Sequence, residues 1–348
     1  MKKSSLLIGL LLTFFIGKSQ QYNVGKEPYM TKSLAGQTIK NVEVETSGGS
    51  IDVKGGTGAD ARVEVYVWPN NYQKGDNISK EEIQKRLDEY YTITISVQNN
   101  KVTAVAKTKK NITNWKKAVS VSFKVFVQQN VSTDLSTSGG SISLVNLSGS
   151  QDFTTSGGSL HVENLTGKIK GHTSGGSIEL SGSKDDIDLT TSGGSIDARN
   201  CSGKIKLSTS GGSLKLSDLK GNINAQTSGG SVDGENIEGA LVTHTSGGNI
   251  DLEGLRCSLE TSTSGGNIDV EVTTLKGFVK ISNSGGNINL RVPNQAMDLR
   301  LTGGRIKTDK LNNFSGSIEE EEVKGKISGG GIPVTVDAGS GRVTLSFK

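Results

Sequence analysis

Between Thr137 and Arg300 apolar residues return at fixed places in a frame of 18 residues. With the threonine of each TSGG copy counted as zero, position 5 is Ile142, Leu160, Ile178, Ile196, Leu214, Val232, Ile250 and Ile268. Position 7 is mostly Leu, Val or Ala, and position 14 is Ile169, Ile187, Ile205, Ile223, Leu241 and Leu259. Apolar residues two apart are strand alternation with one face turned inward. Between the two apolar groups, position 9 is Asn146, Asn164, Asn200, Asp218 or Asn236, and position 12 is Gly149, Gly167, Gly203, Gly221 or Gly239. These residue types tolerate the left-handed backbone of a corner. Each copy therefore reads as short strand, corner, short strand, corner.

The spacing is unbroken from Thr137 through Thr155, Thr173, Thr191, Thr209, Thr227 and Thr245 to Thr263, with an earlier copy at Thr46 and looser ones at Asn283 and Thr302. A period that never drifts means that each copy is one turn of a stack, because an insertion would break contact with both neighbours. Coils about 4.8 Å apart then form a right- or left-handed β-solenoid whose core is a set of aliphatic ladders. Alternation through positions 14 and 16 turns the threonine inward, where its hydroxyl can bond along the stack or to the corner backbone. The glycine pair supplies positive φ or room for the bend. On this reading a bulky residue at Gly193 is costly and one at Ser192 is tolerated. Positions 13 and 15 alternate in charge from coil to coil, Lys168 and Lys170, then Asp186 and Asp188, then Lys204 and Lys206; such exposed pairs favour one register more than they add stability.

The segment between Thr46 and Thr137 has a different texture. Ala61 to Trp68, Thr92 to Val97, Val102 to Lys107 and Val119 to Val127 alternate as longer strands. A helix is predicted from Lys80 to about Tyr91, with Ser79 as N-cap, Glu82 completing a capping box and Ile78 and Ile83 as a hydrophobic staple. The fold expected is all-β, a single-stranded β-solenoid with 18-residue coils, preceded by a β-rich N-terminal capping segment with one short helix. Its divisions are a signal peptide at 1–19, an extension at 20–35, a cap with the first coil at 36–136, the regular solenoid at 137–300, and irregular final coils with a C-terminal cap at 301–348.

Composition agrees. Of 348 residues only 32% are hydrophobic and 47 are glycine, too little apolar material for a thick core, while 4 prolines exclude a collagen-like chain. MKKSSLLIGLLLTFFIGKS combines a basic start, an apolar run from Leu6 to Ile16 and small residues at Gly17 and Ser19, the signature of a secretory signal peptide cleaved before Gln20. Export to the cell envelope or beyond follows, with no transmembrane segment in the mature chain. A net charge of +4 is small for this length and gives no reason to expect nucleic acid.

VSFKVFVQQNVSTDLSTSGGSISLVNLSG, followed by reiterated TSGGSI and NLTGKI units, resembles the bacterial putative-adhesin family of β-strand-repeat proteins, a grouping with a domain of unknown function. The resemblance runs from about residue 36 to the C-terminus. It implies a repeat architecture and an adhesive role, and it brings no catalytic or ligand residues to carry over.

No catalytic, cofactor or metal residue is read from the chain. His161, His172 and His244 fall at outward positions far apart. Cys201 and Cys257 lie three coils apart, about 14 Å along the axis, beyond the reach of a disulfide. Asp233, Asp251 and Asp269 at position 6, with Glu235, Glu253 and Glu271 at position 8, make two acidic columns, read as a solvated face with a divalent cation as the competing use. The binding candidates are Lys107, Lys109, Lys110, Trp115, Lys116 and Lys117, lysines around an aromatic that suit an acidic glycan or a lipid headgroup. The reading is a non-enzymatic exported structural or interaction module of the bacterial envelope, with a glycan or protein of the envelope or its surroundings as partner. A β-helical glycan-processing enzyme is the competing class.

Overall fold

The computed structural model describes Tyr22, 24–73 and 78–348. The predicted signal peptide at 1–19 and its cleavage site lie outside the described residues. Through the middle of the chain each coil contributes two parallel strands, which in one coil run together as Ile250–Thr263. A short one such as Leu160–Glu163 pairs with Ile142–Val145 and Ile178–Ser181, and a longer one such as Thr166–Thr173 pairs with Ser148–Thr155 and Lys184–Thr191. The registers are offset by 18 residues, Leu160 on Ile178 and Thr173 on Thr191, so each sequence column is a physical column. The solenoid thus has two faces, one of short strands and one of long strands.

The core between them is narrow. Ile142, Leu160, Ile178 and Leu214 of position 5 and Ile169, Ile187 and Ile205 of position 14 are all buried, and so are the corner threonines from Thr137 to Thr263. Each buried Leu or Ile removed from water contributes about 1.5–3 kcal/mol, and the ladder repeats that gain at every rung. Corner asparagines take the left-handed conformation, with φ of 57° at Asn146 and 54° at Asn164.

The glycine pair works differently from expectation. Neither glycine of TSGG has a positive φ in the regular coils. The second is the tight one: a Cβ on Gly194 would stand 2.1 Å from the carbonyl oxygen of Gly176 in the preceding coil. At Gly193 the nearest backbone atom would be 3.5 Å away, an ordinary contact, and the residue is exposed. The predicted sensitivity at Gly193 is therefore corrected to Gly194. The serine that follows links neighbouring coils as well. Ser141 Oγ accepts from Ser159 N at 3.1 Å, and late in the array Asn249 Oδ1 accepts from Asn267 N at 2.9 Å.

At both ends the rungs depart from chain order. Asn41–Thr46 lies between Ser132–Thr137 and Lys101–Thr108, parallel to both, so the first coil is inserted beneath a later one. At the other end Val279–Asn283 pairs with Ile332–Asp337, which in turn pairs with Met297–Thr302. The copy at Thr302 thus does not follow the copy at Asn283 in the stack; the last strands of the chain fill the rung between them. Asn41–Thr46 and Ile332–Asp337 are thus clamped on both sides, which protects them from fraying.

Antiparallel strands then close the array. Tyr91–Gln98 folds back on Lys101–Thr108 through Asn99 and Asn100, both with positive φ as a two-residue hairpin turn demands. Arg62–Pro69 lies antiparallel on Val119–Phe126 and carries Met30–Ser33 on its outer side. The helix spans Lys80–Tyr90, and the Ser79 hydroxyl accepts from Glu82 N at 3.2 Å as predicted. Its buried residues Ile83, Leu87 and Tyr90 join the core. At the far end Glu322–Ile327 folds back on Met297–Thr302, and Phe314–Ile318 folds back on Glu322–Ile327.

Candidate functional site

The coil corners are tight along the regular array: Asn146 and Leu147 join Ile142–Val145 to Ser148–Thr155, and four residues join that strand to Leu160–Glu163. The N-terminal cap is different. There a loop runs from Lys109 to Ala118 between Lys101–Thr108 and Val119–Phe126, and it carries five of the six binding candidates.

The loop is held by groups from the helix. Arg86 donates through Nη1 to the Lys116 carbonyl at 3.1 Å and to Asn71 Oδ1 at 2.8 Å, while its Nε meets Glu82 Oε1 at 2.9 Å. Asn114 caps a single 3₁₀ turn at Trp115–Lys117, its side chain accepting from Lys116 N at 3.1 Å. The turn presents Trp115 outward, 60% exposed, with Lys116 and Lys117 beside it in sequence and also exposed.

The remaining lysines are engaged within the molecule. Lys107 pairs with Glu45 at 2.8 Å, and Lys109 Nζ donates to the Asp88 carbonyl at 2.6 Å. Lys110 pairs with Glu89 at 3.2 Å and stands 4.7 Å from the centre of the Tyr90 ring. Hydrogen bonds from Tyr90 and Lys110 hold the Glu89 carboxyl below its usual range. The six candidates thus divide into an outward group, Trp115, Lys116 and Lys117, and a bound group, Lys107, Lys109 and Lys110. Sequence reasoning missed Arg86 and Asn71, which shape the loop, and Trp68, which is 42% exposed and meets Tyr72 edge-on at 6.0 Å. The signal for Trp68 was available: an aromatic at an outward position of an alternating strand.

The aspartate column forms as predicted, with Asp233 on Asp251 and Asp251 on Asp269 in neighbouring rungs; Glu235 stands on Glu253, but a register shift between Leu252 and Leu255 interrupts the glutamate column before Glu271. Burial and then the charges of Asp269, Asp233 and Glu253 push the Asp251 carboxyl up. Below it, Asn289 donates to Asp269 Oδ1 at 2.6 Å, and Glu271 is paired with Arg291 and Lys348. Among the described residues no three acidic, histidine or cysteine side chains converge on one point. His161 lies between Glu179 and Glu163, at 3.2 and 3.4 Å, whereas His244 meets Ser262 at 2.9 Å on the other face. Cys201 and Cys257 are free and buried. Among the described residues no helix is long and apolar enough to cross a membrane.

Residues 181–346 match the model of the Toastrack family, DUF4097. The matched span contains the TSGGSI copy at 191–196 and the later TSGG coils, and begins after the NLTGKI unit at 164–169. No curated protein matches the chain. Among solved structures it is similar to a "putative adhesin" from Bacteroides fragilis NCTC 9343, with 14% identity over 92% of this chain and 96% of the other, at a TM-score of 0.26. It is also similar to a "putative cell adhesion protein" from Clostridium sporogenes ATCC 15579, with 10% identity over 92% of this chain and 98% of the other, at a TM-score of 0.21.

Proposed function

We propose that this chain is an exported, non-enzymatic interaction module of the bacterial cell envelope, adhesive in role, which docks through the tip of its N-terminal cap on an acidic glycan. The observation that carries the reading is Trp115, 60% exposed on a turn braced by Arg86 and flanked by two exposed lysines. A flat exposed indole with two exposed lysines next to it in the chain offers a stacking surface for a sugar ring and two charges for its carboxylate or sulfate. The faces of the solenoid support the non-enzymatic part: their tight corners provide no long loop to carry catalytic groups over a cleft, and the histidines stand apart, His161 on the short-strand face and His172 and His244 four rungs from each other on the long-strand face. Export is supported by the leader read at 1–19.

A glycan array probed with the purified protein tests this. Binding to acidic glycans is expected to fall at least about tenfold in the variant W115A/K116A/K117A, the equivalent of about 1.4 kcal/mol, with an unchanged melting temperature. Equal binding by the variant and the parent would overturn the assignment of the tip.

A further inference from the structure

The two ends of the long-strand face are built alike and charged oppositely. At the N-terminal end the face stops at Tyr91–Gln98, YTITISVQ, and at the C-terminal end at Phe314–Ile318, FSGSI. Neither strand contains a charged residue, and among the described residues each pairs with a neighbour on one side only. Exposed strand edges are ordinarily blunted with charge, proline or a covering segment. The short-strand face obeys that rule, since its terminal strands carry Lys32 at one end and Arg305 and Lys307 at the other, and Glu320 covers part of the second edge by accepting from Ile306 N.

The inward residues at these ends are also incompletely covered. Ile93, Ile95 and Val97 are half-buried, whereas Val102, Ala104 and Ala106 on the adjoining strand are buried. Ile318 is 63% exposed. Lys32 Nζ takes one edge carbonyl, that of Ile95, at 2.8 Å. By the two-residue alternation of an antiparallel pair, Ile93 and Val97 turn their backbone groups to the same open side.

Direction and charge then select the occupant. Phe314–Ile318 is antiparallel to a strand that is itself antiparallel to the coils, so it runs in the coil sense; Tyr91–Gln98 runs against it. A second copy stacked end to end along the same axis therefore brings the two edges together antiparallel. That arrangement sets the acidic run Glu319–Glu322, which continues from Ile318, beside the start of Tyr91–Gln98. Lys107 lies opposite Thr92 there, followed by Lys109 and Lys110. Lys107 and Lys110 are paired with Glu45 and Glu89, and the end keeps a net positive charge because residues 80–117 hold nine lysine and arginine side chains against four carboxylates. Pairing like ends instead would oppose acid to acid or lysine to lysine. We propose that copies of this chain join head to tail, Phe314–Ile318 of one against Tyr91–Gln98 of the next, and extend the long-strand face into a fibre. A heterologous contact of this kind does not close and so propagates.

The inference rests on the strand edges and leaves Trp115, Lys116 and Lys117 unaltered in every test. Sedimentation velocity and electron microscopy of the purified protein should show elongated multimers that grow with concentration at low ionic strength and shorten in high salt. The variants E319K/E320K/E321K and K107E/K109E/K110E should each need roughly tenfold more protein to assemble, while retaining the parent's circular dichroism spectrum. Mixing the two variants should restore assembly, because each then meets opposite charge. A protein that stays monomeric throughout, a dimer that does not grow, or variants that assemble like the parent would overturn the proposal.

Discussion

The hydroxyl of Thr173 donates to the carbonyl oxygen of Gly158 at 2.7 Å and accepts from Gly176 N at 3.3 Å. One side chain thus ties the corner of its own coil to the second glycine of the coil before it, and the same bond recurs from Thr155 to Gly140 and from Thr191 to Gly176. Where asparagine takes the place, Asn283 donates to Gly266 O at 2.7 Å and accepts from Gly286 N at 3.1 Å, so both halves of the link survive. Thr173→Val keeps the shape and deletes the link, leaving a buried carbonyl without its donor. A loss of about 1–3 kcal/mol is expected, read as a lower urea midpoint, with Thr173→Ser nearer the parent.

Gly194 and Gly193 separate steric from conformational demand. A Cβ on Gly194 would collide with backbone that cannot yield without parting two rungs. Gly194→Ala is expected to cost about 3 kcal/mol or more, and Gly193→Ala to stay within about 0.5 kcal/mol. Urea unfolding of the two variants checks the ordering, and equal effects would contradict the stacking offset.

The inward threonine, the left-handed asparagines and the 18-residue register were all legible, because each follows from local alternation repeated without interruption. Which glycine of the pair touches the previous coil was not, since that depends on how far one corner is displaced over another. The ends were hidden for a related reason. Thr302 opens a copy that reads as the next coil after Asn283, yet the rung is taken by Ile332–Asp337; choosing between them is a long-range pairing decision that neither segment records. At the tip the lysines and Trp115 were visible, but the brace from Arg86 spans 30 positions to Lys116 and leaves no periodic trace.

Asp251 gives a pH dependence with a definite sign. Its carboxyl is raised by burial and by three neighbouring acids, so the folded chain holds that proton more tightly than the unfolded chain does. Its contribution favours folding at low pH, and that advantage is lost as pH rises through the folded value. Asp251→Asn should accordingly stabilise the protein at neutral pH by about 0.5 kcal/mol, with the gain vanishing in acid where Asp251 is protonated. Asp197, which stands between Glu179 on one rung and Lys215 on the next, is the control: with one neighbour of each sign, Asp197→Asn should bring no gain. Melting temperatures of both variants from neutral pH into acid decide the matter.

The cysteines test the coil alignment itself. Cys201 Sγ donates to the Arg199 carbonyl at 3.1 Å, and burial pushes the Cys257 thiol up to about 12. Thiolate is the reactive form, so neither group is poised to attack a reagent or to join a disulfide while the coils are stacked. Their separation of three rungs, about 14 Å by the strand spacing, would keep them apart even in an oxidising compartment. The native protein should therefore label with a thiol reagent at least about a hundredfold more slowly than the unfolded chain. Its mass under non-reducing conditions should show no loss of two hydrogens. A bridge between Cys201 and Cys257 would mean that the coils carrying them are not three apart, and the registry from Ile196 to Thr263 would have to be redrawn.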